Sequence, residues 1–396
     1  ILLFFKGFSA IPISFGVSIL LLLSAKPLVV IKIANHKHVY LSIYLKFIVG
    51  HYLVDTCSFW VSYPIFTTMS LRQIDFSKVL TDDQVYDHMM NSYDQLGRDW
   101  IVHQWSWMNN VYQAFNDHYK YLIVISLVEK TLQFYDQMNI QHSFDHFYSK
   151  SNLFIEKFSI TELCEKLQLP KETVRRKVLE LEKLGVLKRI KKQIIIDRSV
   201  FSQVKPERQI KLTSKYIYLI SEIFNKDRIY QKKLEVKYIE QVIKRNFSLV
   251  WRWFYRMQIP MVIGYHEMFE DIATFHLWGT VVMNQAFNYK KTMNNSNVHS
   301  LTPDYMTFNK AIVLDQENDE TSGVSAMSLS DMTNIPRATV IRKCKFLMSQ
   351  GYLKLNDKKQ YVMTGMNIDK VLPYQRKIFR NKAKFLRKTL NLITIS

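Results

Sequence analysis

Ile160, Leu163 and Leu167 recur at helical spacing, so the pattern predicts a short amphipathic helix over 161–167 with one buried stripe. Pro170 follows, and proline suits the first turn of a helix, where its missing N–H costs nothing. Val174, Val178 and Leu181 then predict a second helix over 171–184, and Gly185 stands where a left-handed cap would end it. Beyond the glycine the period shortens. Residues 186–190 and 194–196 read as two strands about a basic turn of Lys191, Lys192 and Gln193.

The pattern returns 166 residues later. Residues 163–188 lie ungapped on 329–354 with ten identities in 26 positions, both prolines and both glycines among them. Val340, Cys344 and Leu347 supply the second copy's apolar stripe, and Gly351 its cap. Its strands fall over 352–355 and 361–363, around Lys358, Lys359 and Gln360. A looser match extends upstream. Trp105-Ser106-Trp107 and Trp251-Arg252-Trp253 each precede an aromatic-rich helical stretch, 119–134 and 269–287, which suggests duplication of a larger unit. The second half adds polar loops at 294–303 and 315–323.

The 45 or so residues of each copy resemble the winged helix-turn-helix domains of bacterial transcription regulators, of the broad MarR-like and IclR-like kind. The resemblance rests on Leu-Pro-Lys-Glu-Thr-Val-Arg-Arg and Ile-Pro-Arg-Ala-Thr-Val-Ile-Arg, with Gly-Val-Leu and Gly-Tyr-Leu downstream. It implies a mainly α fold of tandem winged helix-turn-helix modules, each preceded by aromatic-rich helices and carrying a small β-hairpin wing. It also implies that the helix after the proline enters the major groove of double-stranded DNA. The outward residues are then Lys171, Glu172, Thr173, Arg175 and Arg176 in the first copy, and Arg337, Ala338, Thr339, Ile341 and Arg342 in the second. Arg176 and Arg342 are equivalent and are the candidates for base reading, since a guanidinium binds guanine at two points. Lys177 and Lys343 are assigned to phosphate, as are Arg189, Lys191, Lys192, Lys358 and Lys359 in the wings. Glu172 against Ala338 and Arg175 against Ile341 imply different base preferences for the two modules.

Charge agrees with that direction. The 396 residues carry 54 Lys and Arg against 34 Asp and Glu, a formal +20, which points to a polyanionic partner. The three cysteines, Cys57, Cys164 and Cys344, lie far apart with no ligand pattern, as expected of reduced thiols in the cytoplasm. Cys164 and Cys344 fall at core positions. No phosphate-binding glycine loop, zinc-protease helix or nucleophile elbow occurs, and neither His266-Glu267 nor the pair His142, His146 has a partner at ligand spacing; no enzymatic activity and no cofactor are expected.

The first 68 residues read differently. Residues 7–25 are uncharged for 19 positions, about the length that crosses a bilayer, although Pro12 and Gly16 interrupt them. Three readings stay open: translation upstream of a true start at Met69, a membrane anchor, and a buried helical hairpin. Residues 69–396 retain 49 − 33 = +16 without the segment. The expected organisation is 69–204 with a first module at 151–200, a helical connector at 205–247, 248–366 with a second module at 322–366, and a basic C-terminal helix within 367–396. Function is expected to be sequence-specific DNA binding by a transcriptional regulator. A plasmid-type replication initiator, a protein-interaction scaffold and a membrane-tethered regulator are the alternatives. A homodimer and a small-molecule effector, held among the tryptophans at 105, 107, 251 and 253, remain open.

Overall fold

The computed structural model describes six strands between residues 8 and 64, then residues 79–155, 159–190, 193–201, 205–295, 323–364 and 368–396. It divides into two units, Ile1–Ile74 and Asp75–Ser396. In the first, β1 (Phe8–Pro12) pairs antiparallel with β2 (Ser18–Leu22), and β3 (His38–Ile43) pairs with β6 (Phe59–Pro64) around the smaller pair of β4 (Lys46–Val49) and β5 (Tyr52–Asp55). Within the uncharged stretch, the described residues 8–12 and 18–22 are extended and paired antiparallel. Among the described residues no helix is long and apolar enough to cross a membrane.

The second unit is mainly helical. It opens with α1 (Asp82–Asn91), α2 (Tyr93–Phe115) and α3 (His118–Gln137), then the single turn α4 (Phe144–Phe147) and β7 (Asn152–Ile155). The repeated motif follows as α5 (Ile160–Leu167), α6 (Lys171–Lys183), β8 (Leu187–Ile190) and β9 (Gln193–Asp197), and α7 (Glu207–Lys226) closes the half. The other half runs α8 (Val236–Arg245), α9 (Phe247–Phe269), α10 (Ile272–Asn295), α11 (Ala326–Thr333), α12 (Arg337–Ser349), β10 (Leu353–Leu355), β11 (Tyr361–Met363) and α13 (Ile368–Ile395).

The duplication extends well beyond the motif. Helices α8, α9 and α10 each begin 154 residues after α1, α2 and α3, and the first two of these pairs match in length. In that register the buried positions coincide: Leu96 with Val250, Trp100 with Phe254, Gln104 with Gln258, Met108 with Val262 and Tyr121 with Phe275. Residues 205–247 hold α7 and α8, and in this register α8 corresponds to α1. The paired tryptophans that hinted at the repeat are out of register, with Trp107 opposite Met261 and Trp251 opposite Gly97.

The two copies interlock. Helix α2 packs on α10 and α9 on α3, while α1 packs on α13 and α8 on α7, so each half completes the other's core. The ring contact Trp100–Tyr216 in one copy has its counterpart in Phe254–Phe385, at centroid distances of 5.6 and 5.8 Å. The core also encloses polar side chains. His103 is buried against Gln209 at 2.7 Å and Thr213 at 2.9 Å. Lys382 is 0% exposed, with its ammonium 3.9 Å from the Trp100 ring centroid and 4.6 Å from that of Tyr216. Helix α13 thus carries one of its basic side chains, Lys382, inside the core.

Candidate nucleic-acid interface

Each motif is held by the same local devices. Helices α5 and α11 end on left-handed residues, Gln168 (φ 52°) and Asn334 (φ 59°), which turn the chain sharply. Leu169 and Ile335 then plug the core, and Pro170 and Pro336 open α6 and α12. Those helices bury Val174, Val178 and Leu181 in one copy and Val340, Cys344 and Leu347 in the other. Gly185 and Gly351 cap them at φ 75° and 73°, conformations that disfavour a side chain. The chain then enters hairpins whose registers pair Leu187 with Ile196 and Leu353 with Met363. In the first copy β7 adds a third strand beside β9, whereas among the described residues the second shows one bridge, Val324 to Tyr361.

The outer face of α6 shows Lys171, Glu172, Arg175 and Arg176 to solvent, with Thr173 half-buried. Its arginines sit beside acids on the same helix. Arg175 lies 3.7 Å from Glu172, and Arg176 lies 3.9 Å from Glu180. The outer face of α12 shows Arg337, Ala338, Arg342 and Lys345, with Thr339 and Ile341 half-buried. Helix α12 contains no acidic residue, and neither Arg337 nor Arg342 has an ion-pair partner among the described residues. At the second hairpin's tip Lys358 and Lys359 are exposed, on a turn tied by backbone N–H groups of Lys358 and Gln360 donating to the Asn356 side chain. Arg189 is tied to Glu182, while Lys191 and Lys192 lie outside the described residues.

Lys177 and Lys343 require a correction. Each turns inward, toward an aspartate at the start of a scaffold helix: Lys177 to Asp117 at 2.6 Å, Lys343 to Asp271 at 2.9 Å. Asp117 accepts from the backbone of Tyr119 and Lys120, and Asp271 from that of Thr274, so each carboxylate caps α3 or α10 and clamps the adjoining motif. Burial opposes the charge on Lys177, yet Asp117 and Glu180 outweigh it and leave the pKa raised. The two lysines were equivalent in sequence because they perform one structural task twice. Pattern reading missed their aspartates, since no helical period marks a cap residue.

Cys344 is buried and Cys164 half-buried; burial pushes the Cys344 thiol up to about 12. Among the described residues no group of three or more His, Cys, Asp or Glu could hold a metal ion. Compared with known protein families, curated proteins and solved structures, the chain matches none. Its function must be argued from the surfaces above.

Proposed function

We propose that this chain binds double-stranded DNA through two winged helix-turn-helix modules, one built on α5–α6 and one on α11–α12, and acts as a sequence-specific transcriptional regulator. The carrying observation is the outer face of α12, where Arg337, Arg342 and Lys345 stand exposed on a helix without a single acid. Such a face favours a phosphate-lined groove and disfavours an acid-free protein surface. Interlocking of the halves lets one chain present both modules, so an asymmetric site or a pair of half-sites needs no second copy.

The ion pairs rank the two modules. Arg176 must leave Glu180 to reach a base, whereas Arg342 has no ion-pair partner among the described residues, so the second module contributes more to base reading. Selection from a random DNA pool tests this. Arg342→Ala relaxes preference at one half-site by about 1–3 kcal/mol, and Arg176→Ala does less at the other. Equal, unchanged selectivity in both variants defeats the reading. Enrichment of tandem repeats from an origin in place of single promoter sites favours the replication-initiator alternative. Selection of no DNA leaves the scaffold.

A further inference from the structure

A cavity of about 90 Å³ opens among α2, α9, α10 and α13, bordered by Tyr352, Met363 and Thr364 in and beside the second hairpin. Its origin lies in a difference between the copies. Gly279 stands where the first copy has Ile125, which is 2% exposed. A Cβ placed on Gly279 would meet no atom within 4 Å. Around that gap the walls became aromatic: Val111, Val124 and Val186 correspond to Tyr265, Trp278 and Tyr352. Tyr265 and Phe275 stack there with centroids 4.0 Å apart and planes within 9°.

Three polar atoms of this lining are buried without a partner among the described residues: Gln104 Oε1, Trp105 Nε1 and Gln375 Oε1. Gln104 is 9% exposed, and its amide nitrogen is spent on His103 Nδ1 at 3.3 Å. Buried polar atoms are normally satisfied, and leaving them bare is costly. Aromatic walls with a few convergent polar groups describe a small-molecule site, and the volume suits one ring. Of the four tryptophans suspected from sequence, Trp105 alone lines it.

We propose that this cavity binds a small planar ring bearing both an N–H donor and a carbonyl acceptor, the chemistry of a six-membered lactam heterocycle. The amide oxygens accept from its N–H, the Trp105 indole donates to its carbonyl, and the aromatic walls pack against the ring. The cavity wall also reaches the second motif. His276 lines it and holds Asn109 Oδ1 through Nε2 at 2.7 Å, and Asn109 Nδ2 donates to the Met332 carbonyl of α11 at 3.0 Å. Ring occupancy therefore bears on the helix that leads into α12. That coupling rests on the DNA-binding reading, whereas the site itself does not.

Thermal unfolding of the full chain with 2-pyridone, and with benzene as a ring of similar size lacking both groups, tests the site without DNA. 2-Pyridone raises Tm saturably at concentrations up to about 10 mM, and benzene is at least about tenfold weaker. Trp105→Phe keeps the ring but removes the donor, and weakens 2-pyridone about tenfold with benzene unchanged. Gly279→Leu fills the space and abolishes both responses. No shift with 2-pyridone, equal response to benzene, an unaffected Trp105→Phe variant, or a folded Gly279→Leu variant that still responds each overturns the site. Saturating 2-pyridone also changes affinity for the selected DNA by at least about threefold. An unchanged affinity beside an intact Tm response overturns the coupling alone, and a chain that binds no DNA refutes the proposed function while leaving the Tm result standing.

Discussion

The two halves of the helical unit share a scaffold and differ at their working surfaces. The first copy neutralises its outer helix from within, with Glu172 beside Arg175 and Glu180 beside Arg176, and fills its core with Ile125. The second gives Arg337 and Arg342 no ion-pair partner among the described residues and hollows its core at Gly279. Duplication supplies two frames of one shape, and the frame tolerates divergence wherever a residue faces solvent or a cavity. Where the copies interlock, the equivalent positions stay buried even when the residue type changes.

The largest expected effect breaks the shared frame. Phe254 is fully buried and stacks on Trp251 at 4.5 Å, so Phe254→Ala should cost about 3–5 kcal/mol. Because α9 packs on α3 as well as α13, urea unfolding followed by tryptophan fluorescence and by far-UV circular dichroism should show one coincident transition. Two separated transitions would mean that the halves are independent.

Protons probe an asymmetry at the crossing of the halves. His118 Nε2 and His276 Nδ1 lie 3.1 Å apart in the core, where the register places Ile272 and Leu122 as their counterparts. Burial lowers His118 to about 4, against the upward pull of Asp271 and Asp117. Burial, then His118, lowers His276 well below its usual range. Both are neutral when folded and bind protons near pH 6.5 when unfolded, so their stabilisation is complete above pH 6.5 and is lost as pH falls towards 4. Stability measured by denaturant at successive pH values should fall less steeply in His276→Leu than in the parent chain.

The clamps between scaffold and motif come next. Lys177→Met strands Asp117 and deprives Glu180 of one of its lysines, whereas Lys343→Met strands Asp271 alone. We expect losses of about 1–3 kcal/mol, larger for Lys177, in denaturant titrations. Neither variant should alter the salt dependence of DNA binding, while Lys358→Ala should flatten it by about one phosphate contact. The smallest effect is a gain. Gly279 lies inside α10 with open space beside it, so Gly279→Ala should raise stability by about 1 kcal/mol in calorimetry.

Much of the repeated motif was legible because local chemistry writes it directly. Pro170, Pro336, Gly185 and Gly351 punctuate the chain, and apolar residues at helical spacing lie between them. The larger duplication was not legible. Only six of the 56 pairs between 82–137 and 236–291 are identical, since an interlocked core asks for volume and burial without demanding residue identity. Trp-x-Trp pointed to the right helices in the wrong register, and Lys177 and Lys343 gave the right equivalence with the wrong role.

By itself the sequence determined the two motifs, the breaks that bound them and the excess of positive charge, because those follow from backbone preference, periodicity and composition. Only the tertiary structure decided which cations are free, since pairing depends on helices distant in the chain: Asp117 and Asp271 claim one lysine each, and the core encloses Lys382. It also decided where space remains, because a glycine becomes a cavity only when its surroundings fail to close over it.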